Sequence, residues 1–405
     1  MRLRDDKKTL YTVVAVCALS VLIFAALAVS LIIFAGKENK TAEPEKKPFS
    51  EIHGLWVASV YNLNFPSKAD LSAEELKAQA DGVIETAKKA GLNAIFYQVR
   101  PSADALYKSD IYPVSKYLSS DGTLISDTLE YLTEAAHKEN IAVHAWINPL
   151  RATVENGEAA FHPEWCILYA DGKYYYDCGL PEVRETVAAG VREIVENYDV
   201  DGVVFDDYFY PYPTEENGIQ AVFDDGATYE KYGKDFETKG DFRRNNVNTL
   251  IKLVYDTVKE TEEKCLFGVA PFGIWKNGTG KEDGSLTAGM QSYYDIYCDT
   301  VAWVKGGYVD YIAPQIYWRD DEPAAPYNIL CDWWSDVIEG TEVKLMVSHA
   351  AYRYSQWDSP GGTMKYQVSY AKEKQNYGGG IFYGYAEIAS DTAGISTELR
   401  EIYGE

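Results

Sequence analysis

Residues 201–213 read DGVVFDDYFYPYP. An apolar run, GVVF, meets two adjacent carboxylates and then an aromatic tail punctuated by proline. Apolar runs of this length bounded by turn formers predict a strand covered on both faces, as in a parallel sheet. The same grammar recurs in both directions along the chain. Short β-branched or aromatic runs occupy His53–Val60, Asn93–Val99, Ile141–Ile147, Gly202–Asp206, Leu266–Pro271, Tyr311–Tyr317, Lys344–Ser348 and Gly380–Tyr385. Between them lie stretches with helical apolar spacing. Leu71–Ala90 is the clearest, with Leu76, Ala80, Val83, Ile84 and Ala87 on one face. Ser72 with Glu75 forms a capping-box signature, and Gly91 closes the stretch. Leu124–Asn140, Pro181–Tyr198, Phe242–Glu263, Ser292–Lys305, Tyr327–Ile338, Thr363–Gln375 and Ile395–Tyr403 read likewise. Eight strand–helix units predict a (β/α)8 TIM barrel over 51–405. An open doubly wound sheet is the rival, but no GxGxxG follows the first strand.

The 405 residues are 46% hydrophobic and 25% charged, enough for a large core. The formal net charge of −24 argues against nucleic acid as a partner. Leu10–Ala35 carries no charge and exceeds the roughly 20 residues needed to cross a bilayer core. Arg2, Arg4, Lys7 and Lys8 precede it, which favours a cytoplasmic N-terminus. The expected organisation is a cytoplasmic stub (1–9), one N-terminal transmembrane helix (10–35), a charged linker (36–50) and the barrel. The expected localisation is a single-pass protein of the cell membrane with its C-terminal domain extracellular. Cys17 falls in the span; Cys166 and Cys178 either pair or remain small buried thiols. Cys265, Cys298 and Cys331 read as core residues, and no CxxC pair exists.

Active sites of such barrels occupy the C-terminal strand ends and the loops that follow. The Asp206–Asp207 pair sits at one of these ends. Closely spaced carboxyls push their pKa values apart, which supplies an acid and a base at neutral pH. Residues adjacent on a strand point to opposite faces unless the strand breaks there. Glu387, after the last strand, is the candidate for a second, separated carboxyl; a helix-start acid is its alternative reading. Arg100 and Arg151 follow strands and suit a carboxylate or sugar hydroxyls, or pair with the two Asp residues. Trp146, Asn148, Tyr208, Trp275, Gln315, Tyr317, Trp318 and Tyr385 complete a polar, aromatic-walled mouth that suits the C–H faces of sugar rings. Tyr61, Tyr210 and Trp357 are further rim aromatics, whereas Trp165, Trp303, Trp333 and Trp334 read as packing. His144 within a strand and His349 at a strand end are open between core and site. No HExxH, GxSxG or Walker pattern occurs, so no metal or cofactor is expected.

The segments HGLWVASVYNLNFP, GLNAIFYQVRPSADALY, IAVHAWINPLRA, DGVVFDDYFYPYP, GVAPFGIW, DYIAPQIYW and GGIFYGYAEI together resemble the glycosyl hydrolase-like 10 family. Its members are bacterial envelope proteins related to glycoside hydrolases, and the resemblance spans roughly 51–390. It implies a barrel acting on a polysaccharide, with peptidoglycan glycan strands reported for some relatives. Arg100, Asn148, Arg151, Asp206, Asp207, Gln315, Tyr317 and Trp318 fall on its motif positions. One departure matters. The largest clan of barrel glycosidases uses a Glu after strand four and another after strand seven, where this chain has Asp206–Asp207 and Ser348–His349. The resulting expectation is a membrane-anchored extracellular glycosidase working by carboxylate acid–base catalysis. The alternatives are a non-catalytic glycan-binding barrel and a metal-dependent deacetylase using Asp206, Asp207 and His144 or His349.

Overall fold

The computed structural model describes residues 51–152, 161–216, 218–357 and 363–404. The predicted membrane helix, stub and linker lie outside the described residues. Among the described residues, no helix is long and apolar enough to cross a membrane.

Eight strands close a parallel barrel in sequence order: β1 (Ile52–Val57), β2 (Ala94–Arg100), β3 (Ala142–Ile147), β4 (Gly202–Phe205), β5 (Leu266–Val269), β6 (Tyr311–Ile312), β7 (Lys344–His349) and β8 (Tyr377–Phe382). The register runs Gly54 to Ala94, Ala94 to Ala142, His144 to Gly202, Gly202 to Leu266 and Gly268 to Tyr311. Ile52 opposite Gly379 closes the ring. The eight predicted strand runs are these strands. The principal outer helices are α1 (Ala73–Lys89), α2 (Thr128–Lys138), α3 (Pro181–Asn197), α4 (Lys239–Thr261), α5 (Thr300–Gly306), α6 (Tyr327–Ile338), α7 (Met364–Lys372) and α8 (Ile395–Tyr403), with a further short helix at Gly226–Tyr232 ahead of α4. The capping box is formed: Ser72 Oγ accepts from Glu75 N at 3.2 Å, and Ser72 N donates to Glu75 Oε2 at 2.8 Å.

Two cores result, as a covered barrel requires. Leu55, Ile95, Val143, Val203, Phe267, Leu345 and Phe382 face the helices. Trp56, Phe96, Trp146, Val204, Tyr311, Met346 and Ile381 fill the barrel interior. Glycine makes room for the largest interior groups. A Cβ on Gly268 would lie 2.2 Å from the Tyr311 ring, and one on Gly202 would lie 2.4 Å from His144 Nδ1. His144 is therefore a core residue, stacked on Phe96 and hydrogen-bonded through Nδ1 to the Tyr311 hydroxyl at 2.9 Å. Trp303, Trp333 and Trp334 pack on the outer side, as read from the sequence.

Three elements differ from expectation, each for a local reason. The single helix expected at Ser292–Lys305 is two, Ser292–Asp295 and α5, broken where Tyr297 takes a positive φ and Asp299 caps the second. The regular strand β6 ends at Ile312, since Pro314 has no N–H to give, and the pairing resumes at Gln315, which bridges Phe272 and Ser348. The last strand ends at Phe382 and not Tyr385, because Gly384 at φ +141° turns the chain into a short helix, Tyr385–Ala389. Two small hairpins, Cys166–Leu168 with Tyr174–Tyr176 and Glu215–Glu216 with Ile219–Gln220, were not anticipated. Cys166 and Cys178 are both free thiols.

Candidate active site

The site begins where β4 breaks. Val204 points into the barrel and Phe205 outward, so alternation sends Asp206 inward. Its Oδ1 accepts from the Tyr208 backbone N–H at 3.1 Å, which folds the chain over immediately. Its Oδ2 accepts from the Trp146 indole N–H, also at 3.1 Å. The fold-over keeps Asp207 from passing to the outer face. Asp207 instead accepts from the Gln315 amide at 2.7 Å and from the Tyr212 hydroxyl. Both carboxyls are buried, at 4% and 3% exposure.

Aromatic rings surround the pair. Arg151 lies with its guanidinium 3.6 Å from the centre of the Tyr208 ring, and Tyr208 stacks on Tyr212 at 4.8 Å. Across the mouth Tyr317 stacks on Tyr383 at 6.1 Å, with Tyr352 edge-on to both. The Tyr317 hydroxyl meets Ser348 Oγ at 3.0 Å, and Ser348 Oγ accepts from Trp56 Nε1 at 2.9 Å.

Residues 51–359 match the model of the family described as glycosyl hydrolase-like 10. This chain belongs to that family. It is 37% identical over 367 residues to "Glycosyl hydrolase YngK" of Bacillus subtilis (strain 168), covering 86% of this chain and 71% of the relative. It is 35% identical over 348 residues to "Glycosyl hydrolase DigH" of Escherichia coli (strain K12), covering 79% and 77%. Among solved structures, the fold is that of the PgaB (BpsB) glycoside hydrolase domain from Bordetella bronchiseptica, with a TM-score of 0.54 at 11% identity, over 88% of this chain and 100% of that one. The catalytic domain of beta-amylase from Paenibacillus polymyxa superposes with a TM-score of 0.52 at 10% identity, over 88% and 99%.

Within this glycosyl hydrolase-like 10 barrel, the structure brings Asp206, Asp207, Trp146, Tyr208, Gln315 and Tyr317 together, with Arg151 beside them. Other expected site residues stand elsewhere. Arg100 is 1% exposed and donates to the carbonyls of Asn148 and Pro149, beneath the Tyr112 ring. It braces the loop after β3 and does not face the mouth, and Asn148 is fully buried with it. Trp275 donates its indole N–H to Asp299 and stacks on Trp333, in the outer core. Tyr385 turns toward Thr86 on α1, so the mouth aromatic of β8 is Tyr383. Tyr210 is sealed against Phe223 and Tyr297. Trp318 lies half-buried across Gly273 at the edge of the outer core. Glu387 is half-buried in the first turn of Tyr385–Ala389; its link to the pair is Tyr383, on whose phenol both Glu387 and Asp207 act. His349 is enclosed between Tyr327 and Phe382, and burial lowers its pKa to about 4.

Sequence reading missed Tyr212 and Tyr383. Both signals were present: Tyr212 stands four residues after Tyr208, and Tyr383 shares the inward face with Ile381. Tyr212 has the larger chemical role, since its O–H steadies the charged form of Asp207. Tyr212→Phe is expected to lower any turnover at this site about 10-fold or more, the scale of one hydrogen bond to a charged group. Steady-state kinetics on a proven substrate, with unfolding followed in parallel, checks this.

Burial raises the pKa of Asp206 to about 7, with the neighbouring charge of Asp207 adding to it and Arg151 opposing. Burial raises Asp207 as well, against the Tyr212 and Gln315 donors. The two titrate as a pair. Asp206 is thus about half protonated near neutrality, and at Asp207 the Tyr212 and Gln315 donors favour the charged form against burial.

Proposed function

We propose that the chain is a glycoside hydrolase that cleaves a polysaccharide of the cell envelope, peptidoglycan glycan strands being the first candidate. We further propose that Leu10–Ala35 anchors it in the cell membrane with the barrel outside. The reading is carried by one observation, the buried Asp206–Asp207 pair with its divided surroundings in the barrel mouth. Asp206, protonated near neutrality, serves as general acid to the leaving oxygen. Asp207, held by Tyr212 and Gln315, keeps its charge and stabilises the cation that develops at the anomeric carbon.

Two adjacent carboxyls on one strand cannot flank a sugar ring from both sides, so the second face needs another group. Glu387 is one source, and the substrate's own N-acetyl group is the other. The second is favoured by the Tyr317 hydroxyl, which Ser348 holds next to Asp207 and which would bond an acetamide oxygen. In that case Asp207 orients the acetamide during its attack.

Incubating the full chain with purified wall sacculi and measuring reducing ends tests the proposal. Release is expected, and its rate should fall as pH rises through about 7, where Asp206 gives up its proton. Binding without release, across substrates and pH, would leave a glycan-binding barrel instead. The metal-dependent deacetylase loses its basis on geometry: His144 is spent on Tyr311 and Phe96, and His349 faces Gln367.

A further inference from the structure

Arg151 stands in the mouth with donors that no described residue meets. Only 8% of it is exposed, and its Nε is sealed without a hydrogen-bond partner. Among the described residues, no hydrogen bond or ion pair reaches its terminal nitrogens either. Tyr208 lies under the guanidinium, and Tyr175 and Asp206 are its neighbours. A buried cation with unmet donors is costly to keep unless something supplies the missing oxygens.

The protein's own carboxylates do not supply them. Asp206 accepts from the Trp146 indole and the Tyr208 N–H, and Asp207 from Gln315 and Tyr212, and among the described residues neither makes a hydrogen bond or ion pair to Arg151. The position of Arg151 is fixed in advance. Its backbone bridges Tyr175 of the adjoining hairpin, with Tyr176 N on Leu150 O at 2.8 Å and Ala152 N on Tyr174 O at 3.1 Å. A rigid, half-desolvated fork of N–H donors is built for a planar anion with two oxygens.

We propose that Arg151, on its Tyr208 platform beside Asp206, is a subsite for a carboxylate carried by one sugar of the substrate. This rests on the glycoside hydrolase reading and narrows it to acidic glycans. Sugar hydroxyls would use the donors without bringing a charge of their own to the guanidinium. A phosphate dianion would meet the Asp pair next door and a chain whose net charge is −24. A carboxylate monoanion satisfies the fork with the least repulsion. Its source is either a uronic acid or an ether-linked acid arm on a hexosamine, and the chemistry at Arg151 is the same.

Calorimetric binding to the full chain tests this with two probes: an oligosaccharide alternating N-acetylhexosamine with uronate, and one alternating N-acetylhexosamine with its lactyl ether. Each is compared with its own carboxyl-amidated form. At least one acid form is expected to bind about 10- to 100-fold more tightly than its amide, the scale of charge-assisted hydrogen bonds. Which of the two does so identifies the source. Arg151→Gln should bring that ratio close to one while leaving affinity for the amide in place. Arg151→Lys, which keeps charge and loses the fork, should fall between. Equal binding of acid and amide by the unaltered chain overturns the proposal, and so does a ratio that Arg151→Gln leaves intact. If Arg151→Gln does not fold, the unaltered chain and Arg151→Lys decide. An acid preference without cleavage would remove the hydrolase reading and leave the subsite. Cleavage without acid preference would do the reverse.

Discussion

Asp206→Asn and Asp207→Asn are each expected to lower the release of reducing ends by about 100-fold or more, the usual scale for a general acid or base. An amide at 206 keeps the shape of the carboxyl and one accepted bond, but it has no proton to give. An amide at 207 keeps one of the two donors, Gln315 or Tyr212, and loses the negative charge. In the proposed mechanism both act on one transition state, so the double variant should be little worse than either single one. Stability moves the other way. Asp206 has a pKa of about 7 when folded, above the roughly 3.9 of an unfolded Asp. Between those values the folded chain holds more protons than the unfolded one, so stability falls as pH rises through that window. Asp206→Asn removes this loss, and its unfolding temperature at pH 7 should equal or exceed that of the parent. Inactivity without destabilisation would then mark a catalytic defect. Glu387→Gln separates the two mechanisms: unchanged turnover supports attack by the substrate's acetamide, and a loss as large as that of the Asp variants supports a protein carboxylate. Full activity in both Asp variants would mean that the chemistry lies elsewhere.

The barrel was legible because a parallel sheet covered on both faces writes each strand as a continuous apolar run. GVVF at Gly202–Phe205 and IFYGY near Ile381 could be counted with no knowledge of their partners. The acid pair was legible for the same reason, as polar residues at the end of an apolar run. Direction at the rim was not. Whether Arg100 faces a ligand or the underside of a loop depends on the Asn148 and Pro149 carbonyls, contributed by the next strand's loop 48 and 49 residues away. Trp275 and Tyr385 share composition with Trp146 and Tyr383, and only the turn geometry decides which pair lines the mouth. For Tyr383 that decision is the backbone of Gly384. The Asp206 fold-over is similar. Alternation would have sent Asp207 outward, and a side-chain bond to the Tyr208 N–H reverses it.

Arg243→Met is expected to lower folding stability by about 3 kcal/mol or more, near the lower end for breaking a buried ion pair. Arg243, on α4, grips Asp225 with Nε at 2.7 Å and a terminal nitrogen at 2.6 Å, and the same nitrogen holds the Phe223 carbonyl at 2.9 Å. Its other terminal nitrogen meets the Tyr297 hydroxyl at 2.9 Å. The Asp225 side chain is fully buried, so removing the fork leaves a desolvated carboxylate with Lys239 as its remaining cation. That remaining partner is why the lower end applies. The loss should reach the active site through Tyr210, whose ring Arg243 covers at 5.3 Å. Tyr210 sits midway between Tyr208, which carries Arg151, and Tyr212, which holds Asp207. A loosened Tyr210 therefore lets both supports of the acid pair drift, and turnover should fall at temperatures where the variant is still folded. Urea unfolding and kinetics of Arg243→Met, Asp225→Asn and the double variant measure the coupling directly. The double variant should be less destabilised than the sum of the two, because it no longer buries an uncompensated charge. A single variant within about 1 kcal/mol of the parent would show that Lys239 alone neutralises Asp225 and that the fork contributes little.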